Sequence, residues 1–331
     1  MPSPMDAVHP PLHKDIYSHI ADVLTRAQHV LVLTHKKPDG DTLGAAAAFA
    51  KYLKNQGTRL TLFCLDGPGS DLDFLPLRDQ ILTDPRKLSI ELFDVIAGFD
   101  FSTLSHTGIE ALLAHRAQGS TLINFDHHFS NMRFGDINLV DETAPSTTAV
   151  LHAYFKFVGA KIDADMATAL LTGLVTDTGS FTNAATNIEA FTIASELLNS
   201  GAKIQRILQS TFHNKSLGAL KVWGIAFSRL VRDSRSGLAV TILTREDLAL
   251  CGVDTAAADG IANFLNILGD VDAVLVLRDD DSGFIRGSLR TTKELDVSVL
   301  ARYFGGGGHK KAAGFTLQGI LKRTNDTWRV V

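Results

Sequence analysis

The run HVLVLTH (residues 29–35) restricts the fold more than any other stretch of the chain. It is apolar and rich in branched residues without alternating with polar ones, the pattern of a strand buried on both faces. It gives way through the polar loop KKPDGD to an alanine-rich helical segment, Thr42 to Asn55, that closes near Gly57. The same alternation continues. TRLTLFCLD reads as a second strand and LFDVIAGFD as a third, after a stretch of no clear period at residues 67–92. IEALLAHRAQG reads as a helix, STLINFDHH as a strand and DINLVD as a short edge strand. Helices are expected at Ile16 to Ala27, Ser146 to Val158, Ala164 to Thr176 and Ile188 to Ser200. Strands alternating with helices specify an α/β fold built on a doubly wound, mainly parallel sheet.

With 331 residues the chain exceeds the usual size of one core, so two domains are expected. Residues 1–14 read as a flexible extension, 15–200 as the α/β domain, 201–222 as a helical connector and 223–331 as a smaller α+β domain. That last part holds SGLAVTILT, DAVLVLRDDDSGFIRGSLRT and YFGGGGHKKAAGFTL, with Asp-Asp-Asp-Ser-Gly as a hairpin turn. A formal net charge of -4 argues against a broad basic surface for long duplex DNA, while leaving room for a local anion pocket. The two cysteines, Cys64 and Cys251, lie far apart with no disulfide or zinc-knuckle spacing, which suits a reducing compartment. No apolar run approaches the roughly 20 residues that span a bilayer, and the proline-rich start does not read as a signal peptide. A soluble, cytoplasmic protein is expected.

The chemistry gathers at strand ends. His35, Asp39 and Asp41 form H-x3-D-x-D after the first strand, Asp100 follows the third, Asp126-His127-His128 follow TLINF, and Asp177 ends an apolar helix. Each has an ordinary reading alone: Asp-Gly-Asp is common turn or cap chemistry, and adjacent strand residues such as the two histidines point to opposite faces. Together the first three groups fall on the carboxyl edge of one parallel sheet, where open α/β folds collect functional residues, and Asp177 could reach it. Carboxylates about 4 Å apart repel by roughly 4 kcal/mol at an effective dielectric near 20, so such a cluster takes up protons or recruits metal. Mixed imidazole and carboxylate donors suit divalent Mn, Zn, Fe or Co, and the lack of cysteine weakens the case for zinc. The number of donors suggests two ions sharing a bridging carboxylate, which fits hydrolysis of a phosphate ester.

In the second half, Gly305 to Gly308 precede His309, Lys310 and Lys311. A loop without Cβ atoms lets backbone amides approach an anion, and a following helix would add its positive end. The plain alternative is a mobile linker. Ser288 and Arg290, in GSLRT, lie on an expected strand from which the guanidinium could fork onto a phosphate. Phe129 and Phe304 adjoin motifs and are candidates for stacking on a base, although phenylalanines at such places are more often core.

In this order, H-x3-D-x-D, a strand-end aspartate, DHH, TDTGSF and FGGGGHKKAAGF, the chain resembles the DHH phosphoesterases with their C-terminal DHHA1 domain, over about residues 15–331. Its compact length is most similar to the branch of oligoribonucleases (nanoRNases) that are also pAp phosphatases. The resemblance implies one metal held by His35, Asp39 and Asp100 and a second by Asp41, Asp100, His127 and Asp177, with Asp100 bridging and Mn²⁺ favoured. It implies that His128 faces the substrate phosphate, that Asp126 orients a neighbouring histidine, and that Ser288, Arg290 and Gly306, Gly307, Gly308 and His309 take part in substrate binding. Phe101 stands where the family more often has a small polar residue, so Asp94 or Asp66 is the alternative to Asp100. The expected activity is hydrolysis of very short RNA to mononucleotides, with 3′-phosphoadenosine 5′-phosphate as a further substrate and a homodimer as the family-based oligomer. Alternatives are a linear or cyclic dinucleotide phosphodiesterase and a non-catalytic nucleotide-binding regulator. The glycine-rich segment argues against a pyrophosphatase, and the chain length and acidic balance against an exonuclease on long strands.

Overall fold

The computed structural model describes residues 13–183, 185–211, 215–279, 282–324 and 327–331. The chain divides into two compact units between residues 214 and 215. The proposed N-terminal extension lies outside the described residues up to residue 12, and the first helix already begins at Lys14.

The first unit runs α1 (Lys14–Arg26), β1 (His29–Thr34), α2 (Gly40–Asn55), β2 (Arg59–Phe63), β3 (Ile81–Leu82), β4 (Val95–Phe99), α3 (Glu110–Leu113), β5 (Thr121–Asp126), β6 (Ile137–Val140), α4 (Thr147–Phe157), α5 (Ala164–Asp177), α6 (Ile188–Asn199) and α7 (Ile204–Thr211). Its six strands form one parallel sheet in the order β3-β2-β1-β4-β5-β6. The doubly wound α/β reading therefore holds. Strand order reverses at β1, which pairs with β2 on one side and β4 on the other, so the crevice past their carboxyl ends is the topological switch point. One apolar core joins the sheet to α1, α2, α4, α5 and α6, and a second lies on the opposite face around Leu31, Leu33, Ile96 and Phe101.

The stretch at residues 67–92 contains the short β3 and several single 3₁₀ turns. IEALLAHRAQG was expected to be a helix throughout, but only Glu110–Leu113 is helical. Arg116 explains the break: its Nη1 donates to the Ser120 carbonyl at 2.9 Å and to Asp136 Oδ2 at 2.7 Å, which folds the rest into turns ahead of β5.

Alanines let α2 sink into the unit, with Ala45, Ala46, Ala48 and Ala50 fully buried. Its neighbour α5 approaches at Gly173, where a Cβ would lie 2.4 Å from Asp41 Oδ1 and from Thr148 Cγ2. Glycine there lets α2, α4 and α5 converge on Asp41.

The second unit runs α8 (Leu217–Ser228), β7 (Val231–Arg232), β8 (Leu238–Leu243), α9 (Arg245–Leu250), α10 (Ile261–Leu265), β9 (Ala273–Asp279), β10 (Phe284–Arg290), α11 (Val297–Tyr303), β11 (Gly307–Gly308), β12 (Ala312–Gln318), β13 (Leu321–Thr324) and β14 (Thr327–Val330). Its mixed sheet has the order β11-β12-β10-β9-β8-β7, with β8 and β9 parallel and the other pairs antiparallel. The expected hairpin turn falls partly on residues 280 and 281, outside the described residues, although β9 and β10 on either side of it pair antiparallel. The segment read as a connector is shared: α7 belongs to the first unit and α8 to the second. Among the described residues, no helix is long and apolar enough to cross a membrane.

Candidate active site

Three elements deliver the acidic cluster, α2, β4 and α5. Asp39 caps α2, its Oδ1 accepting from the N–H groups of Asp41 and Thr42 at 3.0 Å each. The helix therefore begins at Gly40, two residues before the expected Thr42. Asp41, one residue into that helix, is 1% exposed. The amino end of α4 closes on it: Thr147 N–H donates to Oδ2 at 2.6 Å, and the N–H and hydroxyl of Thr148 donate to Oδ1 at 3.0 and 2.9 Å. Asp100 follows β4 in the left-handed region, with φ of 64°. It accepts from the hydroxyls of Thr42 at 2.7 Å and Thr147 at 3.0 Å. Asp177 is the last residue of α5.

Phe101, unusual for the family, has a packing role. It is 1% exposed, its ring covers Gly98 where a Cβ would lie 2.4 Å from Cζ, and it stacks on Phe134 with centroids 5.4 Å apart. That anchor holds the residue next to Asp100, which is itself buried. The alternatives are engaged elsewhere: Asp94 accepts from Gln28 N–H and His29 N–H at the amino end of β4, and Asp66 accepts from Lys37 N–H.

The histidines divide into two kinds. Nδ1 of His35 lies 2.8 Å from the Lys36 carbonyl and Nδ1 of His127 lies 3.2 Å from that of Ala144. Each donates there, which leaves Nε2 of both rings facing the cluster, that of His35 at 2.5 Å from the Thr42 hydroxyl. His128 instead places Nδ1 2.7 Å from Oδ1 of Asp126, a carboxylate with no exposed surface. Three groups bring donor atoms within 4.8 Å of one another: His35, Asp39 and Asp100; Asp41, His127 and Asp177; and Asp100, His127 and His128. Asp100 belongs to two of them, with Oδ2 3.7 Å from His35 Nε2 and Oδ1 3.8 Å from His127 Nε2 and 3.6 Å from His128 Nδ1.

The electrostatics favour a cation. Burial, then the charges of Asp100, Asp177 and Asp39, push Asp41 well above the ordinary carboxylate value. Burial lifts Asp177 up to about 7, with Asp100 and Asp39 adding to it against the pull of His127. Burial acts to raise Asp100, but His35, His128 and His127 together bring it down to about 2. Burial alone would lower His128, but its bond to Asp126 and the Asp100 charge bring it to about 9. Among the described residues, the ion pairs inside this cluster are all with histidines. Crowded carboxylates with imidazole donors and no lysine or arginine counter-ion suit divalent metal.

The profile of the DHH family N-terminal domain matches residues 29–174, and that of the DHHA1 domain matches residues 248–326. The chain belongs to the DHH family. As a member it is a hydrolase of phosphate esters. This DHH chain is 29% identical over 302 residues to the bifunctional oligoribonuclease and PAP phosphatase NrnA of Thermus thermophilus, covering 91% of this chain and 88% of that one. It is 24% identical over 292 residues to the Bacillus subtilis protein of the same name, covering 87% and 89%. The crystal structure of an exopolyphosphatase-related protein from Bacteroides fragilis matches with a TM-score of 0.86 at 25% identity, covering 91% of each chain.

The DHHA1 match includes every substrate-binding candidate of the second unit. Ser288 on β10 stands opposite Gly314, which in turn stands opposite Gly307 of β11, so the glycine run is the edge strand of the sheet that carries Ser288. The expected helix after the glycines is absent: α11 precedes them and β12 follows. A helix amino end therefore adds nothing at this loop. Arg290, with its charge disfavoured by burial, donates from Nε to Asn263 Oδ1 at 2.6 Å and from Nη1 to the Leu289 carbonyl at 2.9 Å. His309 and Ala312 exchange backbone hydrogen bonds across the turn into β12. Phe304 packs on Phe315 in the core of its unit, with centroids 4.8 Å apart, while Phe129 is 59% exposed.

Sequence reasoning missed Thr42, Thr147, Thr148, Asn124 and Asn131. A helix was expected from Ser146, which caps α4, but nothing in its spacing tells which carboxylate it meets.

Proposed function

We propose that this chain is a Mn²⁺-dependent phosphoesterase with two metal sites, which hydrolyses very short oligoribonucleotides to mononucleotides and removes the 3′-phosphate of 3′-phosphoadenosine 5′-phosphate. The observation that carries this reading is Asp100, one oxygen turned to His35 and the other to His127 at the switch point of the sheet. His35, Asp39 and Asp100 would hold one ion, and Asp41, Asp100, His127 and Asp177 the other. Ions bound there would supply hydroxide at neutral pH and would neutralise charge on the phosphoryl group. The protein's own groups do the rest. The threonines of α4 and α2 hold Asp41 and Asp100 in place. Asp126 occupies Nδ1 of His128, so Nε2 of that ring is the atom offered to the substrate phosphate. Ser288, Arg290, Gly306, Gly307, Gly308 and His309 of the second unit take part in binding the nucleotide. The names of the Thermus and Bacillus relatives support the substrate class.

The test is turnover of a ladder of short RNAs, pAp, and linear and cyclic dinucleotides by the purified chain with Mn²⁺, then with chelator. Release of mononucleotides from the shortest RNAs and of phosphate from pAp, abolished by chelation, is expected. Turnover unchanged by chelation, or equal in an Asp41→Ala, Asp177→Ala double variant, would overturn it.

A further inference from the structure

Behind His128 lies a buried amide network that the reading above does not use. Asp126 ends β5 with no exposed surface. Its Oδ1 accepts from the N–H of His127 at 2.8 Å and stands 2.7 Å from Nδ1 of His128. Its other oxygen accepts from Nδ2 of Asn131 at 2.5 Å. The asparagine amide cannot be turned round. Its Oδ1 accepts the backbone N–H of Arg133 at 2.6 Å, a group that only donates, so Nδ2 must face inward. There it also meets Asn124 Oδ1 at 2.7 Å and the Phe101 carbonyl at 3.3 Å, and Asn124 Nδ2 reaches that same carbonyl at 3.4 Å. Phe101 directly follows the left-handed Asp100. Two further bonds, Ser102 Oγ with Ser130 Oγ at 3.1 Å and Met132 N–H to the Ser102 carbonyl at 3.0 Å, lace the same two loops together.

We propose that Asn131 is a positioning residue for phosphate-ester hydrolysis, setting the plane of the Asp126 carboxylate so that Oδ1 meets Nδ1 of His128 and Nε2 is aimed at the substrate. The proposal rests on the role given to His128 above. Its physical basis is the torsion it restrains. Rotation of an aspartate carboxylate about χ2 is soft and roughly two-fold; the backbone N–H groups of His127 and His128 hold Oδ1 at 2.8 and 3.3 Å, and the tilt is completed by Asn131 on the other oxygen. A buried carboxylate oxygen without a donor is costly. With Asn131 removed, Asp126 turns to recover one and gives up its alignment with the imidazole. Nothing in the sequence marks this asparagine, because its target is reached only once the loop after β5 has folded back.

The experiment is a double-mutant comparison. Asn131→Ala should lower kcat about 10- to 100-fold, the usual scale for a group that orients a functional side chain, with KM changed by no more than about twofold. In a His128→Ala background the same substitution should change kcat by less than about threefold. Asn131→Asp keeps the size of the side chain and the acceptor for Arg133 N–H but sets a carboxylate against Asp126; it should fall at least as far as alanine, and it carries the comparison if the alanine variant does not fold. Calorimetric Mn²⁺ affinity should stay within about twofold of wild type. Equal losses in both backgrounds, or a loss of metal affinity that accounts for the fall in kcat, would overturn the proposal and assign Asn131 to the Asp100 loop instead. A second readout needs no turnover. In ¹⁵N-labelled protein the His128 Nδ1–H should give a hydrogen-bonded, slowly exchanging resonance that shifts and exchanges faster in Asn131→Ala; an unchanged resonance would overturn the proposal. If wild type hydrolysed no phosphate ester yet this change occurred, the functional reading alone would fail and Asn131 would stand as the residue that aligns Asp126.

Discussion

Asp41 in the first unit and Asp247 in the second are both buried carboxylates near a helix start, at 1% and 7% exposure, yet their surroundings differ in kind. Asp247 carries its own counter-ion: Arg229 grips it with Nη1 2.5 Å from Oδ2 and Nη2 2.7 Å from Oδ1, and Thr244 completes a capping box. Among the described residues, Asp41 has hydrogen-bond donors but no lysine or arginine partner, and it shares its crevice with Asp100, Asp177 and His127. A carboxylate with its own cation is finished by folding alone. A group of them without one is left waiting for charge from outside. The contrast separates architecture from chemistry, and substitutions at each place should divide the same way.

The largest effect belongs to Asp100, the carboxylate between two donor groups. Asp100→Ala should lower kcat/KM by about 10³-fold or more, since the charge stabilisation it organises is worth several kcal/mol, and should weaken Mn²⁺ binding measured by calorimetry. Asp247→Ala should leave kcat/KM within about twofold of wild type. If both fell alike, the distinction between a finished carboxylate and a waiting one would fail.

A second contrast lies inside the glycine run and sharpens the first. Gly306 is demanded by the fold: a Cβ there would lie 2.1 Å from the Gly314 carbonyl oxygen. Gly305 and Gly308 have φ of 75° and 133°, which side chains rarely adopt. Gly307 has no such positive φ, and a Cβ on it would meet nothing within 4 Å. The described fold therefore has room for a side chain at this position. Gly306→Ala should destabilise the protein by about 3 kcal/mol, the upper range for overpacking, read as a drop in the denaturation midpoint. Gly307→Ala should leave that midpoint unchanged and raise KM for short RNA about tenfold. An unchanged KM would make Gly307 a plain edge-strand residue.

These contrasts also show what the chain's order of residues reveals. Strand ends can be read from apolar runs, so His35, Asp39, Asp100 and the Asp126–His128 segment could be placed on one edge before any coordinates. The partners of those groups could not. Thr147 and Thr148 announce a helix start, but the convergence that seats them on Asp41 depends on Gly173 of another helix. The glycine run was open to misreading because a short edge strand is held by its backbone and leaves little pattern in its side chains. The segment after Glu110 has helical spacing, but a few turns of helix gain too little to form unaided, and Arg116 offers that chain a better bond through Asp136.

Loss of the Asp247 pair should be the next effect in size and should carry its own pH signature. Arg229→Ala leaves a mostly buried carboxylate with only Thr244 as a partner, and should cost about 2 kcal/mol, below the full penalty for a buried pair because the arginine is partly exposed. Burial acts to raise the Asp247 carboxyl, but Arg229 and Thr244 outweigh it and hold the group below its ordinary value of 3.8. A folded value below the unfolded one means that the unfolded chain binds the proton more readily. The stabilisation is then fully present above 3.8 and fades as pH falls through the lower, folded value. Denaturation midpoints of wild type and Asp247→Asn should accordingly lie furthest apart at neutral pH and converge in acid below 3.8. A gap that stayed constant through this range would mean that Asp247 contributes as a hydrogen-bond acceptor whatever its charge, and that the second unit's carboxylate owes nothing to the arginine beside it.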